Sequence, residues 1–170
     1  MEKISFVVLD ETVTLDYVPP SMAKKSLLQF SNEKLVNYPI ELRKAFEENN
    51  RSSAELEKQE PTDFEYYLVS PDEIEQLLAL GRKEFQESLE NCKCIYSGAG
   101  SIWQPIRRKY PKSHGVYKFS RSGFSSDKKS ALIFLTHEAG DLGEADFYFL
   151  EKVNDIWKIR KTVGVSNWIS

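Results

Sequence analysis

The second half of the chain carries the pattern that most limits its fold. Tyr117, Phe119 and Arg121 alternate with Lys118 and Ser120, Ala131 to Thr136 is an apolar run, "ADFYFLE" from Ala145 to Glu151 is another, and "IWKIRK" from Ile156 to Lys161 alternates again. Period-two alternation and short apolar runs bounded by turn residues specify strands. Asn154 and Asp155, which both tolerate positive φ, supply a tight turn between the last two runs, and "EAGDLGE" supplies a looser hairpin between the middle two. Strands joined by short turns pair with one another. The segment therefore predicts a four-stranded antiparallel meander.

Helix signals dominate the first half. Ile4 to Leu9 reads as a strand, and "VPPS" then breaks the chain into a loop, because two prolines lack the donors that a helix or a central strand needs. "YPIELRKAFEENN" predicts a short helix with Leu42, Ala45 and Phe46 at helical spacing and Asn49 and Asn50 as stop signals. Arg51 to Asp63 is polar and reads as a loop or a frayed continuation of that helix. "SPDEIEQLLALGRKEFQESLE" predicts the longest helix. Ser70 caps it, Pro71 suits its first turn, and Glu73 stands where a capping box places it. Ile74, Leu77, Leu78, Phe85 and Leu89 form its apolar stripe, with Gly81 on the same stripe where a neighbour can approach. Helices followed by a meander define an α+β fold, one domain over residues 1–170, with the N-terminal strand and the helices packed on a curved antiparallel β-meander.

Charge is small overall, −3, and unevenly placed. Residues 41–90 hold 14 acidic and 6 basic residues, whereas residues 101–130 hold eight basic residues and a single acid, Asp127. The two halves can attract each other, or the basic half can steer an anionic partner. Cys92 and Cys94, the only cysteines, cannot complete a four-ligand zinc site, and His114 and His137 are too remote from them to form a recognisable ligand motif. "SGAGS" at 97–101 lacks the lysine of a phosphate-binding loop and reads as a connector. The apolar run at Ile4 to Leu9 is too short for a signal-peptide core or a membrane span, so the expectation is a cytoplasmic protein without membrane contact.

"AFEENN", "WQPIRRKYPKSHGVYKFSRSGFSSDKKSAL", "GEADFYFLEK", "WKI" and the terminal "WIS" resemble a group of small, uncharacterised bacterial proteins with an NTF2-like, cystatin-like architecture. The resemblance is strongest over residues 103–170, where Trp103, Tyr110 and Pro111 precede the first meander strand and Ser120 to Phe124 match a Ser-Arg-x-Gly-Phe segment. It implies a strongly bent sheet wrapping helices into a cone that sometimes holds a pocket, and it implies no reaction. The acidic turn "EAGDLGEAD" lacks the cysteines found in some such proteins, so no role is carried over to it.

Four residues are the candidate ligand contacts: Arg121, His137, Asp146 and Tyr148. Arg121 either covers aromatic faces at the rim of the sheet or anchors an anionic ligand in the cone. Gly123 and Phe124 read as scaffolding, a bend and a core closure. His137 shares a strand face with Ile133 and Leu135, and Asp146 shares one with Tyr148 and Leu150, which allows a pocket dyad. Glu138, Asp141, Glu144 and Asp146 lack the spacing of a calcium loop. The basic segment 107–112 with its aromatic neighbours could meet nucleic acid, but the total charge is negative and aromatics in a meander fill cores. The expected function is thus a small binding or interaction module that uses no cofactor or metal and meets an acidic protein partner or a small ligand in the cone, with an immunity-type role among those the resemblance implies. A pocket enzyme of the isomerase or dehydratase kind and a nucleic-acid binder are the alternatives.

Overall fold

A computed structural model of the chain describes residues 5–17, 26–56, 65–90, 102–140 and 142–169. Cys92, Cys94 and the segment 97–101 lie outside them. The elements are β1 (Ser5–Leu9), α1 (Leu27–Lys34), α2 (Ile40–Asn49), β2 (Glu65–Val69), α3 (Pro71–Glu90), α4 (Gln104–Lys109), β3 (Ser113–Phe119), β4 (Gly123–Phe124), β5 (Ser130–Ala139), β6 (Leu142–Val153) and β7 (Ile156–Ile169).

The fold is α+β, built on one seven-stranded sheet of order β2-β1-β3-β5-β6-β7, with the short β4 paired to β5. The meander is present in the expected sequence of pairings: β3, β5, β6 and β7 are antiparallel neighbours. The sheet as a whole is mixed, because β1 lies between β2 and β3 and runs parallel to both. Parallel neighbours need long crossovers, and those crossovers carry the helices. Asn154 and Asp155 turn the last hairpin with φ of 52° and 62°. The middle hairpin is tighter than the sequence suggested, since Ala139 pairs with Leu142 and Gly140 takes φ 66°. β7 runs on to Ile169, so the terminal "NWI" is tied into the sheet by backbone pairing with Leu142 to Glu144.

Strand register sorts the side chains. Val7 stands beside Val116, and Val116, Lys118, Thr136, Phe134, Ala145 and Phe147 follow on the same face. The helices pack on this face. Under β5 and β6, Phe46 of α2 and Leu27 and Leu35 from the α1 region meet Leu132, Phe134 and Phe147. Under β1 to β3, Ile74 of α3 and Trp103, Ile106 and Tyr110 meet Val7, Leu9, Val69 and Val116. Between the two clusters Lys118 Nζ lies 2.7 Å from Glu138 Oε1 and 3.5 Å from the Tyr17 hydroxyl, with both charged side chains mostly buried.

Three elements differ from the sequence reading. α1 occupies part of the expected loop, and Ser26 N–H donates to Gln29 Oε1 at 2.8 Å at its start. β2 is an additional strand, "EYYLV", held by β1. The first half of the basic segment lies in a helix, α4, where the sequence reading placed no element. Trp103, Ile106 and Tyr110 stand one turn apart and are buried, and this spacing fastens the segment to the core. Its cations face the acidic helix: Arg108 Nη2 lies 2.6 Å from Glu84 Oε1, and Lys109 Nζ 2.7 Å from Glu73 Oε1. The charge asymmetry thus joins one half of the chain to the other.

α3 begins as expected, with Glu73 N–H donating to Ser70 Oγ at 3.2 Å, but the Glu73 carboxylate turns to Lys109 and the Tyr110 hydroxyl instead of closing a capping box. Its stripe is buried only at the N-terminal end. Ile74, Leu77 and Leu78 pack inward and Gly81 admits the backbone of Ile102, while Phe85 and Leu89 are exposed.

Candidate functional site

No described helix packs on the other face of the sheet. By register it carries Leu68 of β2, Val8 of β1, Tyr117 and Phe119 of β3, Ile133, Leu135 and His137 of β5, and Glu144, Asp146, Tyr148 and Leu150 of β6. Most of these side chains are half-buried, the state expected of a surface that is apolar and incompletely covered.

Where β3 gives way to β4, this face deepens into an open cavity of about 680 Å³. Val8, Tyr66, Leu68, Phe119, Phe124 and Ile133 supply its apolar floor and walls, and the strip from Ala54 to Leu56, bridged to Glu11, closes one side. Its volume falls in the range of small-molecule sites. Most of its polar groups are already committed to the fold. Asn49 Nδ2 donates to the Ser122 carbonyl at 2.7 Å, Ala54 N–H donates to Thr12 Oγ1 at 2.8 Å, and Ser120 Oγ accepts from Phe134 N–H at 2.8 Å while donating to the Arg121 carbonyl at 3.1 Å. Arg121 differs. Its side chain is exposed on the cavity wall, and its guanidinium has no ionic partner among the described residues.

The backbone that presents Arg121 is held firmly. Asn50, at the end of α2, is fully buried; its Oδ1 accepts Arg121 N–H at 2.7 Å and its Nδ2 donates to the Arg121 carbonyl at 2.9 Å. Two residues on, a Cβ on Gly123 would lie 2.6 Å from Phe46 Cα, so only glycine lets the strand and α2 approach this closely. Gly123 is scaffolding, as its position in the sequence suggested. Phe124 is not a core closure. It is 44% exposed, because its side points to the face without helices, where its ring meets Trp157 at 5.9 Å between centroids.

His137, Asp146 and Tyr148 lie on the same face but outside the cavity lining. His137 and Asp146 do not pair as the dyad that the alternation allowed. His137 stands opposite Glu144, and Asp146 stands opposite Leu135. The His137 ring stacks on Tyr117 at 4.3 Å, its Nε2 lies 2.8 Å from the His114 carbonyl and its Nδ1 3.5 Å from Glu144 Oε1. A carbonyl can only accept, so Nε2 carries the proton. Tyr148 OH donates to Asp146 Oδ2 at 3.4 Å. Burial, followed by the charge of Glu144, raises the Asp146 carboxyl above its usual range. Burial and then Asp146 push the Tyr148 hydroxyl up to about 12. Burial and Glu144 likewise raise Tyr117. The result is a ladder of hydrogen-bonded polar groups on an open strand face. The four-carboxylate calcium reading separates in space, since Glu138 turns to Lys118 on the helix face, Glu144 and Asp146 face away from it, and Asp141 lies outside the described residues.

Among the described residues no group of three or more His, Cys, Asp or Glu could hold a metal ion, and no helix is long and apolar enough to cross a membrane. Comparison with known proteins gives no matching family model, no matching curated protein and no matching solved structure.

Proposed function

We propose that the protein is a binding module whose open sheet face takes a small amphipathic anion, with the apolar body in the cavity and the negative group on Arg121. The observation that carries this reading is an unpartnered guanidinium at the wall of a mostly apolar cavity of about 680 Å³, most of whose other polar groups are already bonded. An arginine fork suits a carboxylate, sulfonate or phosphate. The reading favours binding over catalysis because the titratable cluster lies along the strand face, outside the cavity. It also favours binding over nucleic-acid recognition, because Arg108 and Lys109 of the basic segment are paired with α3. The NTF2-like, cystatin-like resemblance implies a pocket within the cone that wraps the helices, whereas this cavity lies on the face of the sheet without helices, so the proposal rests on the cavity and not on the resemblance.

The test titrates 1-anilinonaphthalene-8-sulfonate and dodecanoate against the folded protein. Saturable binding is expected, and dodecanoate should displace the dye. Arg121→Ala should weaken dodecanoate about tenfold or more, the worth of one charge-assisted hydrogen bond. Ile133→Trp, which fills the cavity floor, should abolish binding without loss of secondary structure. Undiminished binding to the Ile133→Trp variant would refute the proposal.

A further inference from the structure

The hairpin formed by β6 and β7 ends in an exposed stretch that the other described residues touch at only a few side chains. Residues 154–162 are all exposed, and among them Ile156 and Ile159 are 62% and 60% exposed. β7 is an edge strand: β6 pairs along one side, and among the described residues no strand pairs along the other. An edge of this length presents a row of backbone donors and acceptors to any strand that can lie beside it. The side chains restrict which strand that can be. Lys158, Arg160 and Lys161 fall within four positions, and β7 contains no acidic residue. Arg160 Nε is bonded to Glu151 at 2.8 Å and Lys161 lies over the Tyr38 ring, while Lys158 has no ionic partner among the described residues. A second copy paired symmetrically over this stretch would set cations against cations, which disfavours it.

We infer that the outer edge of β7, from Ile156 to Thr162, accepts an extended acidic segment of another protein as an added strand. The register fixes the alternation that segment needs. Trp157 and Ile159 stand on the bare side with Lys152 and Leu150, and Trp157 meets Phe124 there. Ile156 and Lys158 stand on the opposite side with Val153 and Glu151. A partner strand alternating carboxylates with aliphatic residues would lay its acids beside Lys158 and its apolar side chains beside Ile159. Backbone pairing supplies the affinity and this alternation the selectivity. None of residues 156–162 lines the cavity, although Trp157 touches Phe124 of its wall, and the edge can be tested without the cavity ligand.

The experiment follows amide hydrogen exchange of the full chain with two short synthetic peptides, one alternating glutamate with valine and one alternating lysine with valine. The glutamate peptide should slow exchange across residues 156–162 about tenfold or more and the lysine peptide should not, with the effect falling as salt is raised. Lys158→Glu should remove the protection and Ile159→Asn should weaken it; both positions are exposed, so the melting temperature should hold. Absence of protection, equal protection by both peptides, or protection that grows with protein concentration alone would overturn the inference, the last by identifying a second copy as the occupant.

Discussion

Asn50 holds Arg121 by both sides of its backbone, accepting from its N–H at 2.7 Å and donating to its carbonyl at 2.9 Å, while Asn50 Nδ2 also donates to the Phe46 carbonyl at 2.7 Å. The asparagine is fully buried, so these bonds are made without competition from water. It splices the end of α2 to the break between β3 and β4, the point where the cavity wall is formed. Replacing it with leucine leaves the Arg121 N–H without a partner and takes one donor each from the Arg121 carbonyl, which keeps the Ser120 hydroxyl, and from the Phe46 carbonyl; an orphaned buried group costs about 1–3 kcal/mol and each further lost hydrogen bond about 0.5–1.5 kcal/mol. Asn50→Leu should therefore lower stability by roughly 2–5 kcal/mol in chemical denaturation and weaken ligand binding in the cavity. A change below about 1 kcal/mol would show that water or a shifted strand replaces the asparagine.

Lys118 and Glu138 form the most enclosed ion pair of the described residues, with side-chain exposures of 18% and 14%. Glu138→Gln leaves a buried ammonium without its counter-charge and should cost about 3–5 kcal/mol. The double variant Lys118→Met/Glu138→Leu should recover most of that loss, because removing both charges also removes their desolvation penalty. Burial pulls the Lys118 ammonium down, but Tyr17 and Glu138 outweigh it and hold it above its ordinary value. A raised folded value means that the pair's contribution is complete below about pH 10.4, the unfolded value, and is lost as pH rises through the folded one. Alkaline titration of stability should show a decline above about pH 10 that the double variant lacks. Simple additivity of the two single changes would contradict the pairing.

Asp146 predicts a pH dependence at the acid end. Burial, then Glu144, raises its carboxyl, so the folded state binds its proton more tightly than the unfolded state does. The stability this confers is complete below about pH 4 and lost as pH rises through the raised value. At neutral pH the ionised carboxylate is a liability. Asp146→Asn, which keeps an acceptor for Tyr148, should raise the melting temperature at pH 7 and leave it nearly unchanged at about pH 3. A lower melting temperature at pH 7 would mean that the charge stabilises the strand face.

The meander was legible because its signal is local: alternation, short runs and two turn sequences suffice, and the register placed His137 with Leu135 and Asp146 with Tyr148 as the alternation implied. α2 and the start of α3 were legible through proline, capping serine and spacing. β2 was not, because five residues acquire their structure from pairing with β1, far away in the sequence. α4 was hidden by its own charge. Three consecutive cations mask the spacing of Trp103, Ile106 and Tyr110, and six residues are too few for propensity alone to sustain a helix. The cavity could not be read at all. Its walls come from β1, β2, the strip ending at Leu56 and the β3–β4 break, and nothing short of the fold brings these together.

The position of β1 governs how the molecule must assemble. Ser5 pairs with Glu65 on one side and Ser113 on the other, so both seams of β1 wait for segments made much later. The meander closes through neighbours joined by turns and can form early, whereas long-range parallel pairings close slowly against chain entropy. Val7 and Leu9, fully or nearly buried in the finished protein, are therefore left open to water during synthesis until β3 emerges. β1 is thus made before either of its partners and locked only after both, and until then its apolar residues are open to chaperones and to misassembly.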